Sequence, residues 1–133
     1  MDEADLLLFA SPVYFDSMSS HMKKMIERLR PTYDAFFEFR NGRTYHLKTN
    51  KKKQKTVVIS TAGNPERESF ISMSRNFGRI IDNMGAQLIG EFYFPASHLM
   101  VTQPELIAGQ LESVTLAGKE FAERGIISEV HGL

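Results

Sequence analysis

A short apolar run near the start of the chain constrains the fold more than any other feature. Leu6 to Phe9 are four adjacent apolar residues without alternation, which is typical of a strand buried on both faces of a parallel sheet. Pro12 has no N–H for a sheet ladder, so the strand is expected to end there. Apolar residues then recur every three or four positions from Met18 to Leu29, which predicts an amphipathic helix beginning near Ser17 to Ser20.

The same order of strand pattern and helix pattern recurs twice more. Residues 56–60 and 87–94 are apolar, β-rich runs that predict two further core strands. The helix between them is expected to begin at Asn64, with Pro65 in its first turn, and to stop at Gly85.

The last helix completes an alternation of strands and helices. Thr102 to Glu105 match a capping box that would start this helix, and Gly125 would end it. Strands that alternate with helices predict an α/β fold with a parallel sheet and right-handed crossovers.

Residues 31–55 do not follow the alternation of buried strands and amphipathic helices. Two short β-like runs, 36–39 and 44–47, flank Asn41-Gly42, which predicts a hairpin. Five lysines follow between residues 48 and 55. Such a run is typical of a solvated loop, and a phosphate or nucleic-acid role is the alternative.

Composition excludes several classes of function. A chain of 133 residues is the size of one domain, and its formal net charge of zero favours neither nucleic acid nor an anionic membrane. It contains no cysteine, so disulfides, cysteine nucleophiles and Cys-ligated metals are excluded. No apolar stretch approaches a membrane span, and the acidic start is unlike a signal peptide. We therefore expect a cytoplasmic protein with no metal site.

The loops after the first two core strands are the first places to look for function, because ligands of open α/β sheets bind at the carboxyl ends of strands. The first loop is Ser11-Pro12-Val13-Tyr14-Phe15-x-Ser17-x-Ser19. The second runs from Thr61 to Glu66, where Gly63 would let a planar ligand approach the backbone. Taken on its own, the second loop is better explained as a plain strand-to-helix connection.

Together these segments resemble the NADPH-dependent FMN reductase family of flavodoxin-like proteins. The first loop, residues 59–66, residues 75–86 and residues 90–96 match in sequence and order. The resemblance implies an α/β fold, a flavodoxin-like three-layer sandwich with a parallel sheet. Residues 1–133 would form a single flavodoxin-like domain, a fragment equivalent to the family's third strand through its fifth helix.

The resemblance also implies a cofactor and its contacts. FMN would bind with NADPH or NADH as co-substrate, and electrons would pass through the flavin, so no catalytic side chain is assigned. Tyr14 or Phe15 would pack on the flavin ring. The residues expected to contact FMN are Pro12, Val13, Tyr14, Phe15, Asp16, Ser17, Thr61, Ala62, Gly63 and Asn64.

Some features of the family are missing from this sequence. It contains neither the Ser/Thr-rich loop that holds the FMN phosphate at a helix N-terminus nor the cysteine cluster of the iron–sulfur branch. We therefore interpret the chain as an N-terminally truncated or split member of the family. The alternative is a non-catalytic, flavodoxin-like interaction domain.

Assembly follows from the same interpretation. Without the family's first strand, Leu6 to Phe9 would form an exposed apolar edge, which is a template for pairing with another chain. We expect a homo-oligomer, most simply a dimer, through this strand or through the helix beginning near Ser19. The alternative partner is a complementary N-terminal segment that would pair with this strand.

Overall fold

Strands and helices alternate along most of the chain in a computed structural model that describes residues 3–29, 33–48 and 52–128. A 3₁₀ turn, Pro104–Ile107, separates the last two helices. The other elements, in chain order, are β1 Leu6–Tyr14, β2 Ser17–Met18, α1 Ser20–Glu27, β3 Tyr33–Arg40, β4 Arg43–Lys48, β5 Lys55–Thr61, α2 Glu68–Asn83, β6 Gln87–Phe94, α3 Leu99–Thr102 and α4 Ala108–Arg124.

The central sheet has the order β2-β1-β5-β6. Its three long strands, β1, β5 and β6, run parallel to one another, as the alternating pattern predicts. The short β2 pairs antiparallel with the end of β1. The predicted positions of the three core strands and their parallel arrangement are therefore confirmed.

Helices cover both faces of this sheet, which gives three layers. On one face, Phe9 and Val58 pack with Phe77 of α2, and partly buried residues of α1 lie against the same cluster. On the other face, Phe92 and Phe94 pack with Ala117 of α4. The mixed α/β architecture with a mostly parallel sheet is thus confirmed.

The β1 strand departs from expectation in two respects. It continues past Pro12 to Tyr14, because Val13 and Tyr14 pair with β2, and a strand near the edge of a sheet tolerates a proline. It is also buried on one face only. Leu7 is buried, whereas Leu8 is 55% exposed, since the clusters beneath α4 are built mainly on β5 and β6.

Two predicted helix starts are wrong because hydrogen bonds compete with the predicted caps. The α2 helix begins at Glu68 rather than Asn64, because the Asn64 carbonyl is tied to the loop after β6 by the Ala96 N–H at 2.9 Å. The capping box at Thr102 does not form. The Thr102 hydroxyl instead donates to the Leu99 carbonyl within α3, and a 3₁₀ turn precedes α4.

Other local predictions are confirmed. Ser19 caps α1 by accepting the Met22 N–H at 3.3 Å. Asn41-Gly42 turns the β3–β4 hairpin with both φ angles positive. Gly125 ends α4 in the left-handed conformation. Parts of the lysine run, residues 49–51, and of the tail, residues 129–133, lie outside the described residues.

Candidate functional site

The carboxyl ends of β1, β5 and β6 bring three loops together at one edge of the sheet. Pro12 of β1 is in register with Thr61 of β5, which in turn is in register with Phe94 of β6. The two loops singled out from the sequence, 11–17 and 61–64, therefore follow adjacent strands. The loop after β6, residues 95–98, lies on the far side of the second loop.

The first loop ends in a tight turn that displays aromatic side chains. Tyr14 pairs with Ser17, so Phe15 and Asp16 form the two-residue tip between β1 and β2. Both tip residues have positive φ, 49° and 56°, the signature of a type I′ turn that usually carries glycine or asparagine. The Phe15 side chain is fully exposed, and Tyr14 is 60% exposed. The turn thus presents apolar ring surface to solvent at the edge where ligands bind.

A buried serine fixes the base of this loop. The Ser11 Oγ accepts the Ser19 N–H at 3.0 Å, which joins the end of β1 to the start of α1. From β5, the Ser60 hydroxyl donates to the Ser11 carbonyl at 2.7 Å. Both serines are buried. These side chains were not among the predicted site residues, although two serines closing apolar strands at the ligand-binding edge are a usable sequence signal.

Three successive carbonyl groups of the second loop, those of residues 62–64, are held by the loop after β6. The Ala62 carbonyl accepts the Ser97 N–H at 2.8 Å, and the Asn64 carbonyl accepts the Ala96 N–H at 2.9 Å. The Gly63 carbonyl lies 2.8 Å from Nδ1 of His98. A carbonyl can only accept, so this imidazole nitrogen carries the proton and donates.

The amide groups of the second loop point away from these contacts. In a trans peptide the C=O and the following N–H lie on opposite sides, and the described chain has no cis peptide. Because the Ala62 and Gly63 carbonyls face the β6 loop, the N–H groups of Gly63 and Asn64 face the other way. Neither N–H has a hydrogen-bond partner among the described residues. Two adjacent free donors form a natural recognition element for an electron-rich ligand atom.

The space around Gly63 is open. A Cβ built on Gly63 would meet nothing within 4 Å. Gly63 and Asn64 are exposed, whereas Ala62 is buried and both its N–H and its carbonyl are already hydrogen-bonded, to Phe94 and Ser97. A flat ligand can therefore approach this peptide segment closely.

A polar network lies beside this edge, on the face covered by α2. The Glu91 carboxylate accepts hydrogen bonds from the Ser74 hydroxyl at 2.9 Å and the Tyr93 hydroxyl at 2.6 Å. Burial, together with the hydrogen bond to Glu91, raises the pKa of Tyr93 well above its usual value. Tyr93 therefore stays neutral at physiological pH and acts as a donor to Glu91.

The structure divides the ten predicted site residues into two groups that face one edge. Six follow or end β1, and four end or follow β5, and these two strands are neighbours in the sheet. Val13 and Ser17 are half-buried within the β1–β2 pairing. Sequence reasoning assigned no role to His98, which reaches the site across 35 positions in the chain. In the part of the chain that the structure describes, no cluster of three acidic or histidine side chains could hold a metal ion.

Comparison with known proteins agrees with this architecture. The chain matches the model of the NADPH-dependent FMN reductase family over residues 1–98. The crystal structure of azoreductase AzrA superposes with a TM-score of 0.61 at 16% identity, covering 90% of this chain and 58% of that one. An azoreductase from Bacillus anthracis str. Sterne gives a TM-score of 0.59 at 16% identity, covering 88% and 57%.

The structural matches at this identity show a shared fold, and this chain spans less than three-fifths of either azoreductase. No curated protein sequence matches the chain. None of the helices within residues 3–29, 33–48 and 52–128 is long and apolar enough to cross a membrane. The family match extends from the start of the chain through the loop after β6 and includes all three core strands, so the chain belongs to the NADPH-dependent FMN reductase family.

Proposed function

We propose that the protein is an FMN-dependent NAD(P)H oxidoreductase whose flavin ring lies between the loops at residues 11–17 and 61–64. The proposal is carried by the amides of Gly63 and Asn64, which have no hydrogen-bond partner within the described ranges and lie next to the aromatic turn at the end of β1. The family membership of the chain supports the choice of FMN.

The residues present fit the ring of a flavin. Its pyrimidine side carries oxygen and nitrogen acceptors, which match the free N–H groups of Gly63 and Asn64 in chemistry. The exposed rings of Tyr14 and Phe15 suit an aromatic ligand, since offset stacking and edge contacts stabilise ring pairs. When bound, FMN supplies the redox chemistry, accepting hydride from NADPH or NADH and passing electrons to an acceptor.

The chain itself contributes binding and orientation. Gly63 and Asn64 would donate to the acceptor edge of the ring, and backbone donors of this kind need no protonation change during turnover. Phe15, at the tip of its turn, would cover the ring and exclude water. Ser11 and Ser60 hold the β1 loop in register with β5. No side chain is required as an acid or base, and we assign none.

The direct test is an FMN titration of the purified protein. Binding should quench flavin fluorescence and shift the flavin absorbance bands, and anaerobic NADPH or NADH should then bleach those bands. A protein that binds no FMN at millimolar concentration would overturn the whole proposal. Binding of FMN without bleaching by NADPH or NADH would overturn the oxidoreductase part of it. We place this activity in the cytoplasm, the compartment expected from the cysteine-free sequence.

We further propose that the chain assembles as a homodimer through β1. Along residues 6–12 this strand has only β5 as a partner among the described residues, so its other edge is open. Leu8 is more than half exposed on the face that α4 leaves uncovered. An open edge with exposed apolar side chains favours pairing with a second copy.

A further inference from the structure

His98 differs from the other groups that hold the second loop. The Ala62 and Asn64 carbonyls are bound by backbone N–H groups, whereas the Gly63 carbonyl is bound by the His98 side chain. His98 is exposed and immediately precedes α3, outside the packed core. A substitution there can therefore remove one specific contact without opening a cavity.

The peptide that His98 holds is the one with the greatest freedom to rotate. Gly63 lacks a Cβ, so its ψ, one of the two angles that turn the Gly63–Asn64 peptide, is poorly restricted by sterics. A Cβ built on Gly63 would meet no atom within 4 Å, so the space beside this residue is open. The hydrogen bond at 2.8 Å from His98 Nδ1 replaces the missing steric restriction.

Fixing this carbonyl also fixes the donor on the opposite side of the peptide. Because the peptide is planar and trans, the Asn64 N–H points away from His98 and away from the β6 loop. Rotation of the peptide would turn the Asn64 N–H out of this direction and bring the Gly63 carbonyl oxygen towards it. A carbonyl oxygen facing the acceptor edge of a flavin would repel the flavin rather than bind it.

We propose that His98 is a positioning residue for the cofactor, holding the Asn64 N–H in the orientation that donates to the flavin ring. This inference rests on the proposed function. It requires a proton on Nδ1 of His98 and leaves Nε2 without a role in the contact. His98 does not itself need to touch the flavin.

The test compares three substitutions in an FMN titration. His98→Ala removes the donor and should raise the FMN Kd about three- to tenfold, the range of one hydrogen bond. His98→Asn places an amide N–H near the position of Nδ1 and should restore the Kd to within about twofold of wild type on the same basis. His98→Gln carries the same amide one methylene farther out and should behave like His98→Ala.

A second readout does not depend on flavin. The ¹⁵N shifts of the imidazole in the ligand-free protein should show the Nδ1–H tautomer, and His98→Ala should move the Asn64 amide resonance. An Nε2–H tautomer would overturn the inference, because a bare Nδ1 cannot donate to a carbonyl. The thermal midpoints of the ligand-free variants show whether each remains folded.

The outcomes separate this inference from the proposed function. If wild type binds FMN and His98→Ala binds it equally well, the positioning role is wrong while the proposed function stands. If wild type binds no FMN but the tautomer is Nδ1–H, the proposed function fails and the cofactor role of His98 fails with it. Equal losses in the Asn and Gln variants would also count against positioning, since only the Asn variant can reproduce the contact.

Discussion

Tyr14 pairs with Ser17 across a two-residue turn, which forces Phe15 and Asp16 into the left-handed region of backbone conformation. A non-glycine residue there costs roughly 1–2 kcal/mol, and two occur in succession at the edge of the sheet where cofactors bind. Strain of this kind persists where function selects the side chain over the fold.

Replacing Phe15 with glycine should therefore separate stability from binding. Phe15→Gly relieves the strain at φ 49° and should leave the free energy of unfolding unchanged or higher by about 1 kcal/mol. It also removes the exposed ring, so the FMN Kd should rise roughly fivefold, since a ring–ring contact is worth about 1 kcal/mol. Urea unfolding and FMN titration on the same preparation measure both effects.

The matched variant is Asp16→Gly, which relieves similar strain at φ 56° and keeps the Phe15 ring. It should gain comparable stability and lose less FMN affinity than Phe15→Gly. Equal affinities in the two variants would mean that the ring does not contact the cofactor.

The open space at Gly63 allows a substitution that should change FMN binding without lowering the stability of the fold. Gly63→Leu meets no atom within 4 Å at its Cβ, so stability should be unchanged or raised by up to about 1 kcal/mol through the unfolded state. The same side chain would occupy the approach to the Gly63 and Asn64 amides, and the FMN Kd should rise roughly tenfold or more. Isothermal titration measures this change.

Lys52→Ala is the control for the Gly63 variant. Lys52 precedes β5 and pairs with Asp5 at 2.8 Å, whereas Gly63 follows the opposite end of the strand. The two positions are separated by the length of a seven-residue strand, about 20 Å. Equal losses of FMN affinity in both variants would contradict the assignment of the site to residues 61–64.

The hydrogen bond between Tyr93 and Glu91 predicts a loss of stability at alkaline pH. The pKa of Tyr93 is raised in the folded protein, chiefly by burial and then by Glu91, above an ordinary value of 10.0. Above pH 10 the unfolded chain loses this proton while the folded chain keeps it, so stability falls as pH rises. Below pH 10 the protonated Tyr93 makes its full contribution to the free energy of unfolding.

Tyr93→Phe should remove this pH dependence along with the hydrogen bond. At pH 7 the variant should be less stable by about 1–3 kcal/mol, because a charge-assisted hydrogen bond is lost. Between pH 9 and pH 11 the difference from wild type should shrink. Chemical denaturation across this range is the measurement, and a constant difference would show that Tyr93 does not titrate as the structure implies.

The fold was largely predictable because its main elements depend on local pattern. The apolar runs located β5 and β6 closely, and Asn41-Gly42 located the hairpin turn. The start of α2 was not predictable from Asn64 and Pro65, since the Ala96 N–H holds the Asn64 carbonyl from a distant part of the chain. Tertiary hydrogen bonds of this kind override a local capping preference.

The site was predictable only as a pair of loops. Their juxtaposition follows from parallel strand order, which the alternating pattern predicts. The role of His98 depends on a contact made across 35 positions, and no pattern near His98 signals it. Ser11 and Ser60, which close two apolar strands, did carry a usable signal that sequence reasoning did not take up. The sequence predicted a strand buried on both faces, but Leu8 is exposed. An apolar run shows that a strand could be buried on both faces, whereas the elements packed against it determine which face is actually covered.

Leu8 also provides the test of assembly. A lysine at this position should oppose pairing of the open β1 edge with a second copy, because charged side chains are the usual protection of exposed edge strands. Wild type at micromolar concentration should scatter light as a dimer, and Leu8→Lys should shift the population towards monomer. Each buried leucine is worth about 2 kcal/mol, so the loss of one per copy should weaken the dimer at least tenfold.

Leu116→Lys is the matched control, since Leu116 on α4 is exposed to 58% and Leu8 to 55%. The control should leave the dimer intact, because α4 lies over β5 and β6 and away from the open edge. A dimer that survives Leu8→Lys and dissociates with Leu116→Lys would place the interface on α4. A wild-type protein that remains a folded monomer at 100 micromolar would show that β1 does not recruit a second copy, and a separate segment that completes the sheet would become the partner to seek.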